Sequence, residues 1–177
     1  MTQGILIMGV SGCGKTTVGK ALADELGALF YDADDFHPAI NRDKMSRGIP
    51  LDDADRIPWL EMISDVIREQ KNSFVLACSA LRESYRQKLL GAYPDLKIIH
   101  LCGTRDLLLE RITNRRDHFM PASLLDSQLA TLEPPHEALR IPISQSLRQT
   151  LDMIRNSICR SGTLTSTPAK KTISLPE

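Results

Sequence analysis

The chain has 177 residues, of which 42% are hydrophobic and 25% charged, a composition typical of one globular domain with a buried core. Lys plus Arg number 22 and Asp plus Glu also number 22, so no net field favours nucleic acid or an anionic membrane as a partner. The N-terminus has no basic segment and no apolar stretch of membrane-spanning length, which predicts a soluble, cytoplasmic protein.

Short apolar runs without alternation recur along the first two thirds of the chain, at residues 5–8, 29–31, 74–78 and 98–102. Such runs are typical of strands that are buried on both faces. Helical patterns lie between them, one closed by Gly27 and another opened by Pro58. The alternation predicts an α/β fold, a parallel sheet with helices on both faces.

The last third of the chain continues the same alternation. Helices are predicted around residues 107–112, 124–132 and 147–158, with a last strand near 139–143 that Pro142 interrupts. We expect residues 1–160 to form one domain and residues 161–177, rich in Ser, Thr, Lys and Pro, to form a mobile tail.

A phosphate-binding pattern follows the first predicted strand and precedes the first helix. Gly9, Val10, Ser11, Gly12, Cys13, Gly14, Lys15 and Thr16 fit G-x-x-x-x-G-K-S/T in that order. In such a loop the backbone N–H groups point at phosphate oxygens, Lys15 reaches the β and γ phosphates, and the Thr16 hydroxyl binds Mg²⁺. With Thr17, this segment predicts an ATP site of the P-loop NTPase fold.

Two carboxylates, Asp32 and Asp34, follow the second predicted strand, at the edge of the sheet where open α/β folds bind ligands. They share a face if the strand continues. We assign Asp34 to the acceptor hydroxyl, as its proton acceptor, and Asp32 to Mg²⁺ through water. The alternative is that one of them only caps the next helix.

A set of blocks in a fixed order is similar to the gluconate kinases and covers about residues 4–158. The blocks are Asp32-Ala33-Asp34-Asp35-Phe36-His37-Pro38, Asp52-Asp53-Ala54-Asp55-Arg56-Ile57-Pro58-Trp59-Leu60, Cys78-Ser79-Ala80-Leu81-Arg82-Glu83-Ser84-Tyr85-Arg86, His118-Phe119-Met120-Pro121, Ser127-Gln128 and Leu132-Glu133-Pro134-Pro135. The resemblance implies a fold like the nucleoside monophosphate kinases and shikimate kinase, with a lid. It also implies phosphorylation of gluconate by MgATP and a homodimer.

Gluconate carries one carboxylate and five hydroxyls, so its site needs a fixed cation and several hydrogen-bond partners. We expect His37, Arg56, Arg82, Tyr85 and Arg86 to supply them. For Arg56 a surface ion pair is the alternative. Arg82 and Arg86 are four positions apart and would share a helix face, for which simple solvation is the alternative.

Arg111 and Arg115 are also four apart, a like-charge spacing that a nucleotide phosphate would relieve. The resemblance implies that the segment from Arg115 to Pro121 is the lid over ATP. His118 is then a hinge or a substrate contact, with a core or surface histidine as the alternative.

Three other classes of protein share parts of this pattern. A regulatory GTPase is disfavoured because the sequence has no N-K-x-D motif. A non-catalytic ATP-binding module would tolerate loss of Asp32 and Asp34, which are both present. A kinase for shikimate or a nucleoside monophosphate would use the same sheet and loop and stays open.

Overall fold

Five parallel strands form one sheet in the computed structural model, which describes residues 2–114 and 122–162. The strands are β1 (Gly4–Met8), β2 (Leu29–Asp32), β3 (Phe74–Ala77), β4 (Lys97–Cys102) and β5 (Leu139–Pro142). Their order is β2-β3-β1-β4-β5, so β1 is central and the chain moves first to one side of it and then to the other. Such a reversal opens a crevice at the carboxyl ends of the central strands.

Helices cover both faces of this sheet. They are α1 (Lys15–Leu26), α2 (Ala39–Ser46), α3 (Asp53–Arg68), α4 (Glu83–Ala92), α5 (Arg105–Thr113), α6 (Ala122–Thr131) and α7 (Leu147–Gly162), with a short 3-10 helix at Ala33–Phe36. Successive β1 side chains enter different cores: Ile5 and Ile7 pack in the core shared with α1, α5 and α7, whereas Leu6 and Met8 pack in that of α3 and α4. The predicted α/β class and the parallel sheet are confirmed. No helix of the described residues is long and apolar enough to cross a membrane.

The two outer strands had different outcomes against the sequence predictions. We expected residues 29–31 to be buried on both faces, but β2 is an edge strand and Leu29 is 43% exposed. The predicted last strand is confirmed as β5, which is the other edge of the sheet. Pro142 is tolerated there because an edge strand does not need every N–H for pairing.

Helix α3 begins at Asp53, five residues before the start that Pro58 predicted. Asp52 caps it: Oδ1 of Asp52 accepts from the Asp55 N–H at 2.9 Å, and the Asp52 N–H donates to Oδ2 of Asp55 at 3.1 Å. This capping box satisfies N–H groups that would otherwise lack partners, and Pro58 is accommodated inside the helix. At the other end of the chain, α7 continues to Gly162, two residues into the predicted tail. Residues 163–177 lie outside the described residues.

Candidate active site

The loop between β1 and α1 has the backbone of a phosphate cradle. Gly9 has φ 141°, and a Cβ there would lie 2.6 Å from the Leu101 carbonyl oxygen, so a side chain is excluded. Gly14, with φ 94°, is the left-handed N-cap of α1, and no side chain caps this helix. The N–H groups of its first turn are therefore directed at the loop and suit an anion.

Two cations adjoin this loop. Lys15 Nζ donates to the Val10 carbonyl at 3.2 Å, so the ammonium lies over the cradle. Arg111 of α5 donates from Nη2 to the Ile143 carbonyl, and its Nη1 lies 3.9 Å from the position of a Cβ on Gly14. Arg111 thus lies beside the loop, as a nucleotide-phosphate contact requires. Arg115 and His118, predicted for the nucleotide and the substrate, lie outside the described residues.

Thr16 and Asp32 form a direct contact at the start of α1. The Thr16 hydroxyl donates to Oδ2 of Asp32 at 2.7 Å, and Oδ1 of Asp32 accepts from the Asp34 N–H at 3.1 Å. Because β2 ends at Asp32 and a 3-10 helix follows, the two carboxylates do not share a strand face, and Asp32 does cap the next helix. The capping and the contact with Thr16 occur together, one on each oxygen of Asp32.

Asp34 is 72% exposed, but it rests on a buried aromatic pair. His37 is 5% exposed and stacks on Trp59, with ring centroids 4.3 Å apart, and His37 Nε2 lies 3.8 Å from Oδ1 of Asp34. Burial lowers the pKa of His37, and the charge of Asp34 opposes this effect. Trp59 Nε1 donates to the Ala33 carbonyl at 2.7 Å, which fixes α3 under the short helix that carries Asp34.

Three of the predicted substrate residues meet in one cluster. Arg56 Nη1 donates to the Tyr85 hydroxyl at 3.3 Å, the Tyr85 hydroxyl donates to Oδ1 of Asp53, and Arg82 Nη1 donates to Oδ2 of Asp53 at 2.8 Å. Burial, together with the bond to Asp53, raises the pKa of Tyr85, so the phenol stays protonated. Asp53 joins the cluster, although it entered the sequence analysis only as part of a family block and was given no role.

Arg86 has a different environment from its predicted partner Arg82. Its side chain is 1% exposed: Nη1 donates to the carbonyls of Ala80 and Leu81 at 2.9 and 3.1 Å, and Nε and Nη2 donate to Oε2 of Glu83 at 3.1 and 2.6 Å. The predicted common helix face is absent, since Arg82 is the N-cap of α4 and lies outside the helix. Arg86 thus braces the loop after β3, where Ala80 has φ 42°, and its substrate role stays a prediction.

Gln128 of α6 contacts the phosphate loop although it entered the sequence analysis only as part of a family block. Its Oε1 accepts from the Ser11 N–H at 2.7 Å, and its Nε2 donates to the Ser11 hydroxyl at 3.1 Å. The 117 positions between the two residues explain why no local pattern indicated this contact. A cleft of about 400 Å³ adjoins Thr16 and Asp32 and is also lined by Lys20, Phe30, Tyr31, Asp35 and Phe36.

Comparison with known proteins agrees with this geometry. A family model described as an AAA domain matches residues 5–135. The gluconokinase of Gluconobacter oxydans is 50% identical over 134 residues, which cover 74% of this chain and 75% of that protein. The crystal structure of a gluconokinase from Sinorhizobium meliloti superposes with a TM-score of 0.84 at 40% identity, covering 90% and 93% of the two chains.

A more distant structure shares the fold alone. The shikimate kinase of Acinetobacter baumannii gives a TM-score of 0.61 at 20% identity, over 93% of this chain and 97% of that one. The sheet order, the glycine cradle and the family match define an ATP-dependent P-loop kinase. Within that class, the identity and coverage of its relatives show that the chain belongs to the gluconokinase family.

Proposed function

We propose that this chain transfers the γ-phosphoryl group of ATP to gluconate, giving 6-phosphogluconate and ADP. The observation that carries the proposal is the grouping of the phosphate loop with Asp32 and Asp34. The Thr16 hydroxyl at the start of α1 donates to Oδ2 of Asp32 at 2.7 Å, and Oδ1 of Asp32 accepts from the Asp34 N–H at 3.1 Å. The phosphate loop, which Lys15 contacts, and both carboxylates therefore lie together at the carboxyl edge of the sheet.

For the nucleotide, the phosphate loop with Thr17 and Arg111 supplies N–H donors and positive charge. The described residues contain no group of three or more His, Cys, Asp or Glu side chains that could hold a metal ion. Mg²⁺ that arrives with ATP needs only one or two protein oxygens, and the Thr16–Asp32 pair fits it. Because the Thr16 hydroxyl donates its hydrogen bond to Asp32, the lone pairs of the Thr16 oxygen are free for a cation. We assign Thr16 to direct contact and Asp32 to contact through water, where the ion would neutralise phosphate charge.

For the acceptor, Asp34 takes the proton of the attacking gluconate hydroxyl. The hydroxyl oxygen forms a bond to the γ-phosphorus while the bond from that phosphorus to ADP breaks. His37 lies behind Asp34 and can orient it. Arg56, Tyr85 and Arg82 offer the cations and the hydroxyl that a carboxylate and a polyol require. Arg56 lies three positions before Trp59 on α3, and Trp59 Nε1 donates to the carbonyl of Ala33, the residue before Asp34.

Several finer assignments remain predictions. Arg115, His118 and the lid fall outside the described residues. The homodimer, the cytoplasmic location and the absence of a nucleic-acid partner follow from the family resemblance and the composition, and sedimentation of the purified protein would test the first of them.

A coupled assay of ADP formation over a panel of acceptors tests the proposed function. The panel contains gluconate, other sugar acids, shikimate and a nucleoside monophosphate, and we expect gluconate to have the highest kcat/KM by at least about 100-fold, because a site built to hydrogen-bond its substrate rejects analogues strongly. The Lys15→Ala protein, purified in parallel, controls for contaminating kinases. Turnover of shikimate or a nucleotide at the rate of gluconate would reject the assignment.

A further inference from the structure

The link between Gln128 and the phosphate loop uses both ends of the side-chain amide. The carbonyl end accepts the Ser11 N–H at 2.7 Å and the amino end donates to the Ser11 hydroxyl at 3.1 Å. A fork of this kind fixes both the backbone and the side chain of one residue, so it restricts rotation as well as position.

Other tethers of the same loop are longer. The Gly9 N–H donates to the Ser79 carbonyl at 3.4 Å, and Lys15 Nζ donates to the Val10 carbonyl at 3.2 Å. The Lys15 bond is also one that a phosphate would compete for, since the same ammonium is the predicted phosphate ligand. Gln128 therefore provides the shortest of these three tethers, and none of its own atoms is a predicted phosphate ligand.

We propose that Gln128 is a positioning residue that holds the phosphate loop ready for the nucleotide and thereby sets nucleotide affinity. The inference rests on the nucleotide site proposed above. A loop that is ordered before binding does not lose conformational freedom on binding, so the gain appears in affinity for the phosphates. Gluconate, which the loop does not grip, should bind independently of Gln128.

Helix α6 has an attachment of its own that allows a matched control. Arg105 of α5 donates from Nε and Nη2 to the two oxygens of Asp126, at 2.6 and 3.0 Å. Asp126 lies on the same helix as Gln128 and is exposed, and its contact with Arg105 is directed at α5 rather than at the phosphate loop. Replacing Asp126 therefore weakens a contact of α6 without changing any atom that contacts Ser11.

The test compares Gln128→Met with Asp126→Asn. Methionine keeps the length and volume of glutamine and loses both hydrogen bonds. We expect the Kd for MgADP, measured by calorimetry on the full chain, and the KM for ATP to rise on the order of tenfold in Gln128→Met. The KM for gluconate should stay within about twofold, and Asp126→Asn should keep the wild-type Kd for MgADP.

A double-mutant cycle with Ser11→Ala separates the hydrogen bond from general loosening. Ser11→Ala should weaken MgADP binding in the wild-type background and add little in the Gln128→Met background, because the partner is already gone. Additive effects, an unchanged Kd in Gln128→Met, an equal rise in the KM for gluconate, or the same loss in Asp126→Asn would each overturn the inference. MgADP binding needs no acceptor, so it stands or falls separately from gluconate turnover by the wild-type protein.

Discussion

Replacing Arg86 tests whether this arginine mainly stabilises the fold or binds the substrate. The guanidinium of Arg86 is buried, and its Nη1 donates hydrogen bonds to the carbonyls of Ala80 and Leu81 at 2.9 and 3.1 Å. In Arg86→Met the side chain keeps most of its length, but both carbonyls lose their donor inside the protein. A buried acceptor without a partner is costly because water cannot replace the lost bond.

The expected loss can be worked out from these contacts. Two hydrogen bonds from a charged donor contribute roughly 3–6 kcal/mol together. Burial of the more apolar methionine returns about 1–2 kcal/mol, and the ion pair to the half-exposed Glu83 adds less than about 1 kcal/mol. We expect the free energy of unfolding to fall by about 2–4 kcal/mol, and Tm to fall by roughly 5–15 °C for a chain of this size.

Urea unfolding followed by circular dichroism measures this loss, with Arg82→Met as the matched control. The Arg82 side chain is 41% exposed and pairs with the half-exposed Asp53, so its replacement should change unfolding by less than about 1 kcal/mol. Arg82→Met should instead raise the KM for gluconate. If Arg86→Met unfolds at the wild-type urea concentration while its KM for gluconate rises sharply, the guanidinium binds the substrate and does not mainly stabilise the loop.

Three further predictions concern the chemistry and the pH dependence. Lys15→Ala should lower kcat at least about 100-fold in the coupled assay without changing Tm, because the ammonium neutralises the transferring group rather than packing in the core; an unchanged kcat would remove Lys15 from the mechanism. Asp34→Asn should lower kcat by about 10²–10⁴ while calorimetry finds normal ATP affinity, whereas Arg56→Ala should chiefly raise the KM for gluconate; near-normal turnover in Asp34→Asn would move the proton acceptor to another group. Burial lowers the pKa of His100 to about 4, and Nδ1 of this ring has no hydrogen-bond partner among the described residues. The unfolded chain therefore takes up this proton near pH 6.5 and the folded protein only near pH 4, so stability is lost as pH falls through that window. His100→Leu should remove up to about 1.4 kcal/mol per pH unit of this slope, and equal slopes in the two proteins would refute the reasoning.

The phosphate loop could be read from the sequence because its chemistry is local. Glycine is required where φ is positive, as at Gly9 and Gly14, and lysine and threonine follow at a fixed distance along the same segment. The strands and most helices could also be predicted from the sequence. A strand buried on both faces gives a short continuous apolar run, whereas a helix buried on one face gives apolar residues three or four positions apart. The start of α3 was predicted wrongly from Pro58, because the capping box between Asp52 and Asp55 lets the helix begin at Asp53 and leaves Pro58 inside it.

Contacts between distant segments were decided by the tertiary structure alone. Periodicity placed Arg82 and Arg86 on one helix face, yet the helix began one residue after Arg82. Arg82 therefore contacts Asp53, whereas Arg86 is buried against the loop after β3. Asp53 and Gln128 carried no local signal, because their partners lie 32 and 117 positions away. Short-range patterns encode which backbone a segment adopts, whereas a hydrogen bond between segments depends on how the sheet brings their ends together, and that geometry is fixed only when both cores pack.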